Sequence, residues 1–238
     1  MTDTLHYDVT GRGPVLLLVP GGAGHPMGLG PLTERLARRF TVVTYDPLGL
    51  AHGRLGRPVA EQRVADWSEG ARRVLAEVLP GGASASVCGT SSGALAVLDL
   101  LARSPERLAH VVAHEPPCVT VLPDGAARRA ELIDRLDGPE RPPAEGESAT
   151  PMGVFLARVL RPFTMYTPAA PPAPDRLTIV AGTDSRGHLL YRTAESLAGR
   201  LGCGFAEFPG GHLGALDHPE EFADALAEAL RPSAPTSA

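Results

Sequence analysis

The chain of 238 residues contains no lysine, so all 22 of its basic residues are arginine. That absence removes Schiff-base chemistry, pyridoxal phosphate attachment, Ser–Lys dyads and the lysine of a phosphate-binding loop. Cysteine is scarce. Cys88, Cys118 and Cys203 are odd in number and lack metal-type spacing, which argues against a disulfide framework and a zinc site. Cys88 lies in an apolar stretch and reads as a small core residue. There is no excess of basic charge either. A formal charge of −5 offers no basic face for a phosphate backbone, so no nucleic-acid partner is expected. No apolar run reaches the roughly eighteen residues of a membrane span. The opening MTDTLHYDVTG lacks the basic-then-apolar order of a secretory signal, and a cytoplasmic location is expected.

What is present suits one α/β domain. Hydrophobic residues make up 43 % of the chain, enough to bury a sizeable core. Short β-branched and apolar runs alternate with helical patterns, as in a mostly parallel sheet flanked by helices. Strands are predicted at 5–9, at PVLLLV (14–19), FTVVTYD (40–46) and ASASVCG (ending at Gly89), and at 108–114, 176–182 and 204–210. PVLLLV is apolar throughout, as a strand covered on both faces should be. Helices are predicted over 31–39, 64–79, 92–103, 189–201 and 219–230; in 64–79 the apolar residues Val64, Trp67, Ala71, Val74, Leu75 and Val78 recur with helical spacing.

One excursion interrupts this order. Residues 116–174 hold two potential helices, 125–136 and 151–160, joined by GPERPPAEGESATP, which has the composition of a loop. Long insertions in compact domains are often covers of active sites. We therefore expect a body formed by residues 1–115 and 175–232, a lid over 116–174, and a disordered tail over 233–238.

The strongest chemical signal is Gly89-Thr90-Ser91-Ser92-Gly93, a G-x-S-x-G placed between a predicted buried strand and a predicted helix. A serine on so tight a strand-to-helix turn has its oxygen pushed clear of the sheet. The following helix aims its N-terminal amides at developing negative charge. A serine hydroxyl needs an imidazole to take its proton and a carboxylate to hold that imidazole. Of eight histidines, His212 in PGGHLG fits best, late in the chain on a glycine-rich loop after a strand. For the acid, Asp184 in GTDSRG follows the strand LTIVAG, and Glu115 in HEPP is the rival. We rank Asp184 first. Asp46, after FTVVTYD, is expected to fix the turn that follows it.

These motifs resemble the α/β-hydrolase family from about Tyr7 to Leu230. The resemblance implies the α/β-hydrolase fold with a short lid insertion. It implies the order Ser91, Asp184, His212, with Glu115 at a place where some members carry their acid. It also implies an oxyanion hole made by the amides of Ser92 and of the loop Pro20–Gly24, with Gly22 as the donor. Serine at the nucleophile position argues against haloalkane dehalogenase and epoxide hydrolase chemistry, which use aspartate there. The expected activity is cleavage of a carboxylic ester or related acyl compound through an acyl-serine, without cofactor or metal. Thioester hydrolysis, a lyase, cyclase or C–C hydrolase reaction, and a non-catalytic receptor are the alternatives. The expected partner is a small-molecule substrate, with neither nucleic acid nor membrane, and the oligomeric state is not readable. Phe155, Leu156, Phe163, Met165 and Tyr166 are candidates to line an apolar substrate cavity.

Overall fold

The computed structural model describes residues 4–22, 29–137 and 150–231. The loop positions Ala23 and Gly24, the middle of the expected lid and the tail over 233–238 lie outside them. Seven strands form one sheet: β1 (Tyr7–Gly11), β2 (Val15–Val19), β3 (Thr41–Tyr45), β4 (Ala85–Thr90), β5 (Leu108–His114), β6 (Leu177–Gly182) and β7 (Gly204–Phe208). Their order is β1-β3-β2-β4-β5-β6-β7. Only β1 runs antiparallel, pairing Tyr7 with Tyr45 and Gly11 with Thr41. Every other pairing is parallel.

The body helices are α1 (Gly30–Leu36), α2 (Val64–Val78), α3 (Ser92–Arg103), α7 (Leu189–Leu201), α8 (Gly214–Asp217) and α9 (Pro219–Ala229). Between β5 and β6 lie α4 (Gly125–Asp137), α5 (Pro151–Phe155) and α6 (Arg161–Phe163), the last two joined by a wide π-type turn over Leu156–Leu160. The helix expected over 151–160 is thus longer, and its middle is underwound into a wider turn. The four-residue α8 had no apolar periodicity long enough to announce it.

Strand alternation sorts the core into two layers. Leu16 and Leu18 of β2, with Val42, Val112 and Val180, face the layer completed by Leu32 and Leu36 of α1 and Phe222 and Leu226 of α9. Leu17 and Val19, with Val43, Val87, Val111 and Ile179, face Trp67, Leu95, Leu101 and Leu197 on the helices of the other side. Each fully buried leucine or valine removed from water contributes about 1.5–3 kcal/mol before entropy is subtracted. Burial also settles Cys88, whose thiol is pushed up to about 12 by desolvation. Asp46 anchors its turn as expected, accepting from the Ala51 amide at 3.0 Å and from His52 Nδ1 at 2.9 Å.

Chain order places the site. After β3 the chain crosses to the far side of β2 and enters β4. The crevice beyond the carboxyl ends of β2 and β4 is such a switch point, where ligands bind in open parallel sheets.

Candidate active site

Ser91 occupies the single residue between β4 and α3, with φ 51° and ψ −120°. Holding a non-glycine residue in such a region costs on the order of 1–3 kcal/mol, so its surroundings must enforce it. The Ser91 amide donates to the His114 carbonyl at 2.9 Å, and its carbonyl accepts from the Ala94 amide at 2.9 Å. At Gly93 the start of α3 presses on the end of β2: an added Cβ would stand 1.8 Å from the Val19 carbonyl oxygen. The second glycine of the motif is therefore a requirement of packing. Ser92, first residue of α3, has an amide without an intrahelical acceptor.

The loop after β2 meets the same corner. The Gly21 amide donates to Thr90 Oγ1 at 3.1 Å. A Cβ at Gly21 would lie 2.5 Å from Ser91 Cβ and 2.9 Å from the Ser92 amide nitrogen. That approach carries the next residue, Gly22, to the rim of the cavity that Ser91 and Ser92 also line.

His212, on the loop after β7, lies with Nε2 3.1 Å from Ser91 Oγ. Its Nδ1 lies 2.8 Å from Glu115 Oε2. A carboxylate can only accept, so Nδ1 carries the proton and Nε2 is left to accept from the serine hydroxyl. Glu115 is fully buried. With φ 42° it joins Ser91 as the only other non-glycine residue of positive φ among the described residues. Its amide is tied to the Val180 carbonyl at 2.8 Å, and its Oε1 accepts from the Gly182 amide at 2.9 Å. Burial by itself would raise its pKa; the bonds from His212, Gly182 and Ser185 outweigh burial and hold the carboxyl at about 2.

The first-ranked acid is thereby corrected. Asp184 does not meet His212; it is exposed, its amide donates to the Gly210 carbonyl at 3.0 Å, and its Oδ1 faces the Thr183 hydroxyl at 3.4 Å. The physical reason is the strand order. Glu115 directly follows β5, the immediate neighbour of β4, whereas Asp184 follows β6, one strand further out. Glu115, with its positive φ, is the carboxylate whose oxygen lies 2.8 Å from His212 Nδ1. The partners of Glu115 carried no local signal in the sequence, since Gly182 and Ser185 sit in a different strand end.

Next to Glu115, His114 is fully buried. Its ring lies 6.4 Å from that of His212 at an interplanar angle of 21°, and edge-on to Phe222 at 5.1 Å. Neither ring nitrogen has a partner among the described residues. Desolvation lowers its pKa to about 4, so the ring is neutral at pH 7.

A cavity of about 560 Å³ opens over Ser91 and His212. Gly22 and Ser92 line it, as do Phe155, Leu156 and Phe163 from the excursion between β5 and β6. The other two candidates fall elsewhere. Met165 is 60 % exposed, and the Tyr166 hydroxyl donates to Asp99 Oδ1 at 3.0 Å. Helix α6 ends at Phe163, and the buried Thr164 returns its hydroxyl to the Leu160 carbonyl at 3.0 Å, so the chain beyond it leaves the cavity. Among the described residues no three His, Cys, Asp or Glu side chains gather as metal ligands would, and no helix is long and apolar enough to cross a membrane.

Comparison with known proteins agrees with this architecture. The family model described as "Alpha/beta hydrolase family" matches residues 16–225. An uncharacterized hydrolase, YraK, of Bacillus subtilis (strain 168) is 31 % identical over 260 aligned positions, covering 95 % of this chain and 92 % of that protein. Among solved structures, a thermophilic esterase from Thermogutta terrifontis superposes with a TM-score of 0.66 at 17 % identity, over 95 % of this chain and 93 % of the other. The carboxylesterase CesB (YbfK) of Bacillus subtilis gives 0.61 at 19 % identity, over 97 % and 88 %.

Proposed function

We propose that this chain, which belongs to the alpha/beta hydrolase family, cleaves a carboxylic ester or closely related acyl compound through an acyl-serine intermediate. The observation that carries the reading is His212 bridging Ser91 Oγ at 3.1 Å and Glu115 Oε2 at 2.8 Å. Ser91 Oγ attacks the acyl carbon while its proton passes to His212 Nε2. The carbonyl oxygen takes the electron pair and is met by the amides of Ser92 and Gly22. Collapse of this intermediate breaks the bond to the leaving alkoxide, which receives the proton from Nε2. Water then repeats the sequence in the acyl-enzyme, giving up its proton to Nε2, and the carboxylic acid departs with Ser91 restored.

Glu115, not Asp184, is the acid in this scheme. Held ionised by its hydrogen bonds, it fixes the tautomer of His212 and stabilises the imidazolium formed in each step. The excursion over 116–174 acts as a cover, since Phe155, Leu156 and Phe163 supply apolar wall above Ser91. The esterase and carboxylesterase named above share this architecture, a likeness of fold, so the reading is carried by the geometry of the site.

The test is labelling by a serine-reactive fluorophosphonate, read by intact mass, beside turnover of a short 4-nitrophenyl ester. One adduct and turnover on wild type, both lost in Ser91→Ala, are expected. Labelling or turnover that persists in folded Ser91→Ala overturns the assignment.

A further inference from the structure

Helix α4 carries three arginines, and two are occupied. Arg128 binds Asp124 Oδ2 through Nε at 2.8 Å and Glu131 Oε2 through Nη1 at 2.9 Å. Arg129 donates to Thr164 Oγ1 at 3.1 Å and to the Arg161 carbonyl at 3.0 Å. Arg135 has no hydrogen bond or ion pair among the described residues. Its side chain is exposed, on a part of the helix that also borders the cavity. It follows Leu132 by three positions and precedes Leu136, and all three line the cavity over Ser91, as residues three and four apart on one helix face do.

The charges around it are one-sided. Arg135 is the one arginine among the described residues of the cavity wall, and the one carboxylate there is Glu115, already engaged by His212, Gly182 and Ser185. The rest of the wall is chiefly Leu, Phe, Met and Pro. The formal charge of the chain is −5, so its overall field repels anions, and any preference for one has to arise at the site. An exposed guanidinium without a partner among the described residues, on the wall of a largely apolar cavity, matches a ligand with an apolar middle and a carboxylate at its far end, because the planar fork meets a carboxylate with two parallel bonds.

We infer that the site selects esters whose acyl chain ends in a carboxylate, which Arg135 receives while the scissile carbonyl lies against Ser91. This rests on the ester-cleaving reading above. Arg135 is then a specificity residue that takes no part in bond making.

The experiment compares kcat/KM for mono-4-nitrophenyl esters of adipic, pimelic and suberic acid with the neutral 4-nitrophenyl alkanoate of equal carbon count. The expected result is a preference of about five- to tenfold for the carboxylate ester at one chain length, carried by KM and shrinking with added salt. Arg135→Ala brings the ratio close to one, and Arg135→Lys restores part of it. Arg128→Ala, which removes the same charge from another part of the same helix, keeps the wild-type ratio. A wild-type ratio of one or less at all three lengths overturns the inference. So does a ratio that survives Arg135→Ala, or one that Arg128→Ala abolishes equally. If no ester of either kind turns over and Ser91 takes no fluorophosphonate, the ester-cleaving reading itself has failed.

Discussion

Glu115 and His212 stand 97 residues apart in sequence, yet their Oε2 and Nδ1 atoms are 2.8 Å apart. This contact holds the Nδ1 side of the imidazole, and Asp184 makes no hydrogen bond to it. Glu115→Gln, with a side chain of nearly the same shape, should therefore lower kcat by about 10³–10⁴-fold by losing control of the His212 tautomer. KM should change little. Asp184→Asn should leave kcat/KM near the wild-type value. Steady-state kinetics on one ester with both variants checks the pair, and the opposite ranking would return the role to Asp184.

Most of the fold and two of the three central side chains could be read from the sequence. PVLLLV holds a strand because an unbroken apolar run suits a strand covered on both faces, and Ser92–Arg103 is a helix with the bounds expected. Ser91 was legible because its chemistry demands a local turn with small flanking residues. His212 was legible because it lies late in the chain on a glycine-rich loop after a strand. Glu115 ranks second from the sequence because which of two carboxylates placed after strand ends meets the imidazole depends on the tertiary placement of separate strands, which leaves no local mark. Met165 and Tyr166 failed for a similar reason, since their apolar character says nothing about where α6 ends.

Gly21 is a test of close approach. Its missing side chain lets the loop after β2 pass the elbow, where a Cβ would stand 2.3 Å from the Thr90 carbonyl oxygen and 2.5 Å from Ser91 Cβ. Gly21→Ala must displace Gly22, the expected second oxyanion donor. A displacement near 1 Å in such a site costs about 10²-fold in rate. The expected outcome is a fall of that order in kcat with the serine still labelled by fluorophosphonate. Wild-type kcat in this variant would remove Gly22 from the oxyanion hole.

The two phenylalanines of the cavity wall should separate binding from stability. Phe163 is fully buried and meets Trp67 edge-on at 4.8 Å, so it ties the excursion to α2 as well as bounding the cavity. Phe163→Ala should cost about 3–5 kcal/mol in a urea melt. Phe155 is 8 % exposed and lacks that aromatic partner. Phe155→Ala should cost less in the same melt and act chiefly by raising KM for apolar esters. Equal losses of stability would mean that both serve the core alone.

His114 predicts how stability depends on pH. Burial holds its pKa near 4 against an ordinary 6.5, so between these values the unfolded chain binds a proton that the folded chain refuses. Stability from this group is complete above about pH 6.5 and is lost as pH falls towards 4, at up to about 1.4 kcal/mol per unit and on the order of 3 kcal/mol in all. Glu115 acts in the same direction but lower, between its ordinary 4.5 and about 2. The two windows meet only between about pH 4 and 4.5, below pH 5. Phe in place of His114 has no proton to bind and no nitrogen to leave unpartnered beside Phe222. Urea unfolding of wild type and His114→Phe at pH 7 and pH 5 isolates the effect, because every other titrating group is common to both. Wild type should lose roughly 2 kcal/mol more than the variant between the two pH values. Parallel losses in the two proteins would show that the His114 ring accepts a proton in the folded chain as readily as in the unfolded one.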